Sequence, residues 1–191
     1  LAKKKAVIKP VSRAKSVNGL ELVKLKMLTP AQYAAQDLYG QGRHLFLDGV
    51  AGAGKSFCAL GFALSDYLSM KTGSIKIVRS TVPSRDMGFM PGTLEEKLSV
   101  YESPYEQIVN KLFGRDDAWM ICKQKGIIEL VSTSYLRGQT FDNCIVIFDE
   151  VQNCTISEIS TMVTRTGNNC RLILCGDYWQ DDLKDKKQVS G

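Results

Sequence analysis

The stretch Gly49-Val50-Ala51-Gly52-Ala53-Gly54-Lys55-Ser56 constrains this chain more than any other, because it fits the pattern G-x-x-x-x-G-K-[ST]. That pattern has a physical meaning only where a buried strand turns into a helix. Both neighbours are present: Leu45-Phe46-Leu47-Asp48 is a short apolar run suited to a strand, and Phe57-Cys58-Ala59-Leu60-Gly61-Phe62-Ala63-Leu64 is an apolar run suited to a helix. Glycines let backbone N–H groups curl inward around phosphate oxygens, and a helix starting behind them offers unpaired N–H groups and a partial positive charge. The chemistry expected is nucleotide binding across Gly49, Val50, Ala51, Gly52, Ala53, Gly54, Lys55, Ser56 and Phe57. Lys55 is placed to reach the β- and γ-phosphates, and the Ser56 hydroxyl to ligate Mg²⁺.

A second signal lies far downstream in Cys144-Ile145-Val146-Ile147-Phe148-Asp149-Glu150. An apolar run ending in two acids reads as a buried parallel strand with carboxylates at its carboxyl end. Ligands of open α/β sheets bind at that end, where the glycine-rich loop also lies. Asp149 is expected to hold Mg²⁺ through water, and Glu150 to polarise an attacking water as general base. Acidic pairs after strands also cap helices. It is the combination with the loop at 49–56 that points to nucleotide hydrolysis.

The rest of the chain fits an α/β pattern. A strand is expected around 20–26 and a helix over 31–39, introduced by Thr29-Pro30 and ended by Gly40 and Gly42. Gln32 on its first turn carries an amide whose carbonyl and NH₂ match an adenine edge. Strands are expected at 74–79, 127–131 and 170–175, and helices at 94–100, 105–113, 116–122 and 155–165. Residues 80–92 read as a loop with an apolar tip, Met87-Gly88-Phe89-Met90-Pro91. After the last strand comes Gly176-Asp177-Tyr178-Trp179-Gln180, where Gln180 or Asp177 suits a polar sensor of the γ-phosphate. Arg165 closes the preceding helix and suits either a phosphate contact or a surface ion pair.

Composition bounds the class. The 191 residues, 44% hydrophobic and 24% charged, suffice for one α/β core, and no apolar run approaches the length that spans a bilayer. Nor does an apolar run follow Lys3-Lys4-Lys5, so no signal peptide is expected. Cys58, Cys122, Cys144, Cys154, Cys170 and Cys175 show no zinc spacing and read as small core residues in a reducing cytoplasm. Residues 1–28 hold eight basic residues and one acid, a net of +7, against +5 for the whole chain. This basic arm, expected to precede a domain over 29–191, suits either nucleic-acid phosphates or plain solvent.

Taken in order, several blocks resemble the PhoH-like ATPases, a family common in bacteria and bacteriophages. They are Thr29-Pro30-x-Gln32, the glycine-rich loop, Val78-Arg79-Ser80, Gly88-Phe89-Met90-Pro91-Gly92, Tyr135-Leu136-Arg137-Gly138-Gln139-Thr140, Ile145-Val146-Ile147-Phe148-Asp149-Glu150-Val151-Gln152-Asn153, Thr164-Arg165-x-Gly167, and Gly176-Asp177-x-x-Gln180-x-Asp182-Leu183. The resemblance implies a RecA-like P-loop NTPase core, a mostly parallel sheet with helices on both faces, related to superfamily 1 helicases. It also implies Mg-dependent ATP hydrolysis, single-stranded RNA or DNA as partner, and a ring-shaped homo-oligomer such as a hexamer. By matching position, Gln32 would read adenine and Lys55, Ser56, Asp149 and Glu150 would carry the phosphate chemistry. Gln180 would sense the γ-phosphate, and Arg79, Arg137 and Arg165 would contact phosphate from the same or a neighbouring subunit.

Other classes fit less well. A GTPase lacks its N-K-x-D block, since Asn110-Lys111-Leu112-Phe113 fails at the last position. A small-molecule kinase would need an acceptor pocket and lid, which the insert 79–125 has the length to supply. A non-catalytic ATP-dependent binding module would use the same loop without turnover.

Overall fold

A computed structural model describes residues 19–23, 26–80, 94–133, 136 and 138–179. Most of the basic arm, the loop tip at 87–91, Arg137 and Gln180 lie outside these residues. In chain order the described elements are α1 (Pro30–Gly40), β1 (Leu45–Asp48), α2 (Lys55–Leu68), β2 (Ser74–Arg79), α3 (Leu94–Phe113), α4 (Ala118–Gln124), β3 (Ile128–Ser132), β4 (Cys144–Asp149), α5 (Ile156–Arg165) and β5 (Arg171–Gly176).

The strands form one sheet in the order β1-β5-β4-β2-β3, and every pairing is parallel. Parallel strands need helical crossovers, and these cover both faces, so the strands are apolar on both sides. Strand β4 shows this most fully: all six of its residues are buried. Its Ile145 and Ile147, with Ile75, Ile77 and Ile173, face a core shared with Leu60 and Leu64 of α2, Val109 and Leu112 of α3 and Trp119 of α4. Its Val146 and Phe148, with Val78 and Leu172, face a smaller core closed by Met162 of α5. This is the RecA-like P-loop architecture, with the expected helices on both faces. Five of the six cysteines are buried and all are free thiols.

Several boundaries differ from the sequence reading, each for a physical reason. The strand expected around 20–26 does not form among the described residues: Leu20 makes a single bridge, and Val23 N–H donates to the Leu112 carbonyl near the end of α3. Leu20 and Met27 are nonetheless core residues, so this part of the expected arm packs on the domain. The helices expected at 94–100 and 105–113 are one helix with Pro104 inside it. A mid-helix proline costs about 3 kcal/mol. Here a continuous buried face crosses it, made by Tyr101, Tyr105, Val109 and Leu112 at helical spacing. Helix α5 begins one residue late because Thr155 is its N-cap, in a reciprocal capping box with Glu158.

Since all strands run the same way, their carboxyl ends share one edge of the sheet. The loop after β1, Arg79 as the last residue of β2, Asp149 and Glu150 at the end of β4 and Asp177 after β5 therefore converge there. Strand β5 separates β1 from β4, which opens the gap between the loop and the acids.

Candidate functional site

The loop between β1 and α2 has the conformation its glycines permit. Gly52 and Gly54 sit at φ 78° and 83°, a region closed to most side chains, and Gly54 is the N-cap of α2. The Lys55 ammonium folds back onto its own loop, donating to the carbonyls of Gly49 and Val50. A cation held over a ring of backbone groups at a helix N-terminus is an anion cradle.

Across the gap, Ser56 Oγ lies 3.1 Å from each oxygen of Asp149, although 93 residues separate them in the chain. The serine and the acid expected to share a metal are thus in contact. Asp149 is buried, only 4% exposed. Burial pushes its carboxyl above the usual range and the neighbouring Glu150 adds to the shift, against hydrogen bonds from Tyr105 and Ser56 and the Arg79 charge. Register pairs Arg79 with Asp149 on adjacent strands. Burial works against the Arg79 charge, but Tyr105, Glu150 and Asp149 together hold the guanidinium above its ordinary pKa.

A folded-state carboxyl with a raised pKa contributes stability that is present at acid pH and lost as pH rises through the raised value. At neutral pH the buried charge of Asp149 therefore costs stability, a common feature of a functional site. Asp149→Asn is expected to raise the melting temperature at pH 7 by about 2–4 °C, with the gain shrinking toward pH 4. Thermal unfolding followed by circular dichroism across that range checks it.

Glu150 adopts a left-handed backbone conformation, φ 56°, ψ 45°, at the point where β4 gives way to a short 3₁₀ turn, Val151–Asn153. Non-glycine residues there carry strain of order 1 kcal/mol, and such strain concentrates at functional sites. Two contacts of Gln152 hold the turn: its side-chain amide donates to Glu150 Oε2, and its Oε1 accepts from Asp177 N–H at 3.1 Å. Gln152 falls inside the block 145–153 that carries the family resemblance, but the sequence alone assigns it no role. Asp177 itself is buried and turned onto its own loop, accepting from Trp179 N–H at 3.0 Å.

Gln32 reaches the loop. Its Oε1 accepts from Leu28 and Thr29 N–H, closing a capping box on α1, and its Nε2 donates to the Ala53 carbonyl at 3.0 Å. The side chain is therefore a strut between α1 and the phosphate loop as well as a candidate base reader. Gln32→Ala is expected to destabilise the protein by about 1–2 kcal/mol in urea unfolding, the cost of a lost cap and its tether.

Arg165 stands apart from this cluster. Helix α5 starts beside the acid pair and runs back to the opposite edge of the sheet, where the Arg165 carbonyl accepts from Phe141 N–H, just before β4 begins. That sets Arg165 at the edge of the sheet opposite the phosphate loop. Lys55, Ser56, Arg79, Asp149 and Glu150, in contrast, are brought together.

Comparison with known proteins follows the same lines. A family model described as "PhoH-like protein" matches residues 24–191. Protein PhoH of Escherichia coli (strain K12) is 33% identical over 141 residues, covering 73% of this chain and 40% of that protein. The PhoH-like protein of Bacillus subtilis (strain 168) is 35% identical over 139 residues, 71% of this chain and 42% of that one. The one from Synechocystis is 31% identical over 173 residues, 89% and 51%. The chain thus spans about half or less of the length of the relatives it matches. Among solved structures, the Sulfolobus solfataricus SWI2/SNF2 ATPase core in complex with dsDNA aligns with TM-score 0.47 at 16% identity, over 79% of this chain and 32% of that one. The Pif1 helicase from Candida albicans aligns with TM-score 0.36 at 18% identity, over 82% and 34%.

Proposed function

The chain belongs to the PhoH-like protein family, and on that premise we propose that it binds Mg·ATP in its P-loop and hydrolyses the γ-phosphate. The observation that carries this reading is the contact of Ser56 with Asp149, with Glu150 held beside them by Gln152. The residues of the site fit Mg·ATP. Lys55 lies on the loop carbonyls, ready to exchange them for phosphate oxygens, and one buried carboxylate plus one hydroxyl is the sparse donor set that suits Mg²⁺ held mainly by phosphates and water.

Bound Mg²⁺ would supply charge neutralisation between the phosphates. The chain's own residues do the rest. The loop N–H groups and Lys55 fix the phosphates in place, and Ser56 and Asp149 hold the metal. Glu150, on a turn that aims it away from the buried strand, orients the attacking water and accepts its proton. Gln32 would read the adenine edge, and Arg79 would sense phosphate charge from the end of β2. Gln180 and Arg137, outside the described residues, are proposed as γ-phosphate sensor and phosphate contact on the family resemblance.

Coupling to single-stranded RNA or DNA is the second half of the proposal. It is supported by the basic character of residues 1–28, which suits phosphates, and separately by the exposed rings of Tyr178 and Trp179 at the carboxyl end of β5, since exposed aromatics offer faces on which bases stack. Assembly of several copies would bring Arg165 of one subunit toward the site of the next. Among the described residues no helix is long and apolar enough to cross a membrane. Phosphate release from Mg·ATP, measured with and without single-stranded RNA, tests the reading. Turnover that rises with RNA supports both halves, and turnover indifferent to RNA removes the second. Nucleotide binding without turnover overturns hydrolysis in favour of an ATP-dependent binding module.

A further inference from the structure

Three elements meet behind the metal-holding carboxylate, and one of them carries no recognised motif. Helix α3 lies in the long insert between β2 and β3. From its middle, the Tyr105 hydroxyl approaches Asp149 Oδ2 to 2.9 Å, in a contact buried from solvent. One turn earlier, Tyr101 places its ring 4.8 Å from the Arg79 guanidinium. The Arg79 charge also acts on the Tyr105 phenol, opposing the effect of burial and of Asp149.

Donor inventory fixes the direction of this network. A guanidinium only donates and a carboxylate, when ionised, only accepts. The Tyr105 hydroxyl therefore gives its single proton to Asp149. Arg79 polarises the phenol and makes it a stronger donor. The phenol itself stays protonated, because burial and the Asp149 charge hold its pKa well above the ordinary value, with Arg79 opposing them.

Ser56 cannot do the same work alone. It has one proton for two Asp149 oxygens that lie at equal distance, so it leaves the carboxylate free to rock about that contact. It must also turn a lone pair toward the metal. Tyr105 is the donor with no obligation to the nucleotide or the metal, and it binds one oxygen only.

We propose that Tyr105 is a positioning residue for the Mg²⁺ site, fixing the Asp149 carboxylate by its buried hydrogen bond to Oδ2, and so ties α3 to occupancy of the nucleotide site. The inference rests on the Mg·ATP reading above. It adds that the insert helix builds the site, although its sequence shows only the periodicity of a packed helix.

Tyr105→Phe keeps the ring and removes the hydroxyl that donates to Asp149. The test is binding of a fluorescent ATP analogue to the full chain, titrated with Mg²⁺ and repeated in excess EDTA. Loss of a group that orients a metal ligand usually costs 10–100-fold in metal affinity. The Mg²⁺ concentration for half-maximal tightening is expected to rise about tenfold in Tyr105→Phe, while affinity in EDTA stays at the unaltered value. A purely structural tyrosine would instead lower the melting temperature and weaken both forms of binding alike. Tyr101→Phe, which keeps its ring against Arg79, is expected to respond to Mg²⁺ as the unaltered chain does. Should Tyr105→Phe fail to fold, Tyr105→Met fills the same space with a more adaptable side chain and carries the same expectation. An unchanged Mg²⁺ half-point in a folded variant overturns the inference alone. Failure of the unaltered chain to bind the analogue overturns the nucleotide reading and this inference with it.

Discussion

Glu150→Gln is expected to reduce ATP turnover by roughly 10²–10⁴-fold, the range spanned by removal of a positioned general base. ATP affinity is expected to change little. Glutamine keeps the length and one acceptor oxygen, so the water is still held but its proton has no acceptor. The local fold also favours a clean result. Gln152 now donates to Glu150 Oε2, and the amide carbonyl of the substituted side chain can accept the same bond, so the left-handed turn after β4 keeps its tie to Asp177. Steady-state phosphate release gives the rate, and equilibrium binding of a fluorescent ATP analogue gives the affinity. A variant with unaltered turnover would remove Glu150 from the mechanism and return attention to other acids at the strand ends. A variant that neither binds nor turns over would mean that the residue holds the loop rather than the water.

Lys55→Ala is expected to act on the other quantity. It removes the one cation of the phosphate loop, and losing such a preorganised contact is worth about 3–4 kcal/mol, roughly 10²–10³-fold. ATP binding should weaken by that order, and turnover at limiting ATP should fall at least as far. Stability should hardly move. Lys55 donates to the Gly49 and Val50 carbonyls, which lie on an exposed to half-buried loop where water can replace the ammonium. Isothermal titration with Mg·ATP and a thermal melt of the apo protein separate the two effects. Loss of the fold, rather than of binding, would show that the lysine braces the loop. Binding within a few-fold of the unaltered chain would show that phosphate sits elsewhere.

These expectations start from motifs that were legible without any structure. The glycine-rich loop, the acid pair at the end of β4, the strands at 45–48 and 74–79 and the parallel α/β class follow from backbone chemistry and from the burial of successive residues, both written locally. Local rules also explain the misses. Pro104 reads as a helix boundary by its own chemistry, yet the buried face from Tyr101 to Leu112 carries α3 through it. The stretch at 20–26 has strand-like composition but finds no strand partner among the described residues, and instead meets the Leu112 carbonyl near the end of α3.

By itself, the sequence determined which residues can do phosphate chemistry and that they would stand at strand ends. Tertiary structure alone decided which of them meet. Tyr105 reaches Asp149 across 44 residues, and Ser56 reaches it across 93. Both contacts exist because β5 inserts between β1 and β4 and α3 packs back over the sheet. The same topology carries Arg165 away from the site along α5. No periodicity encodes strand order or the direction of a crossover helix. Those follow from the summed burial of two apolar faces, a property of the whole sheet rather than of any segment.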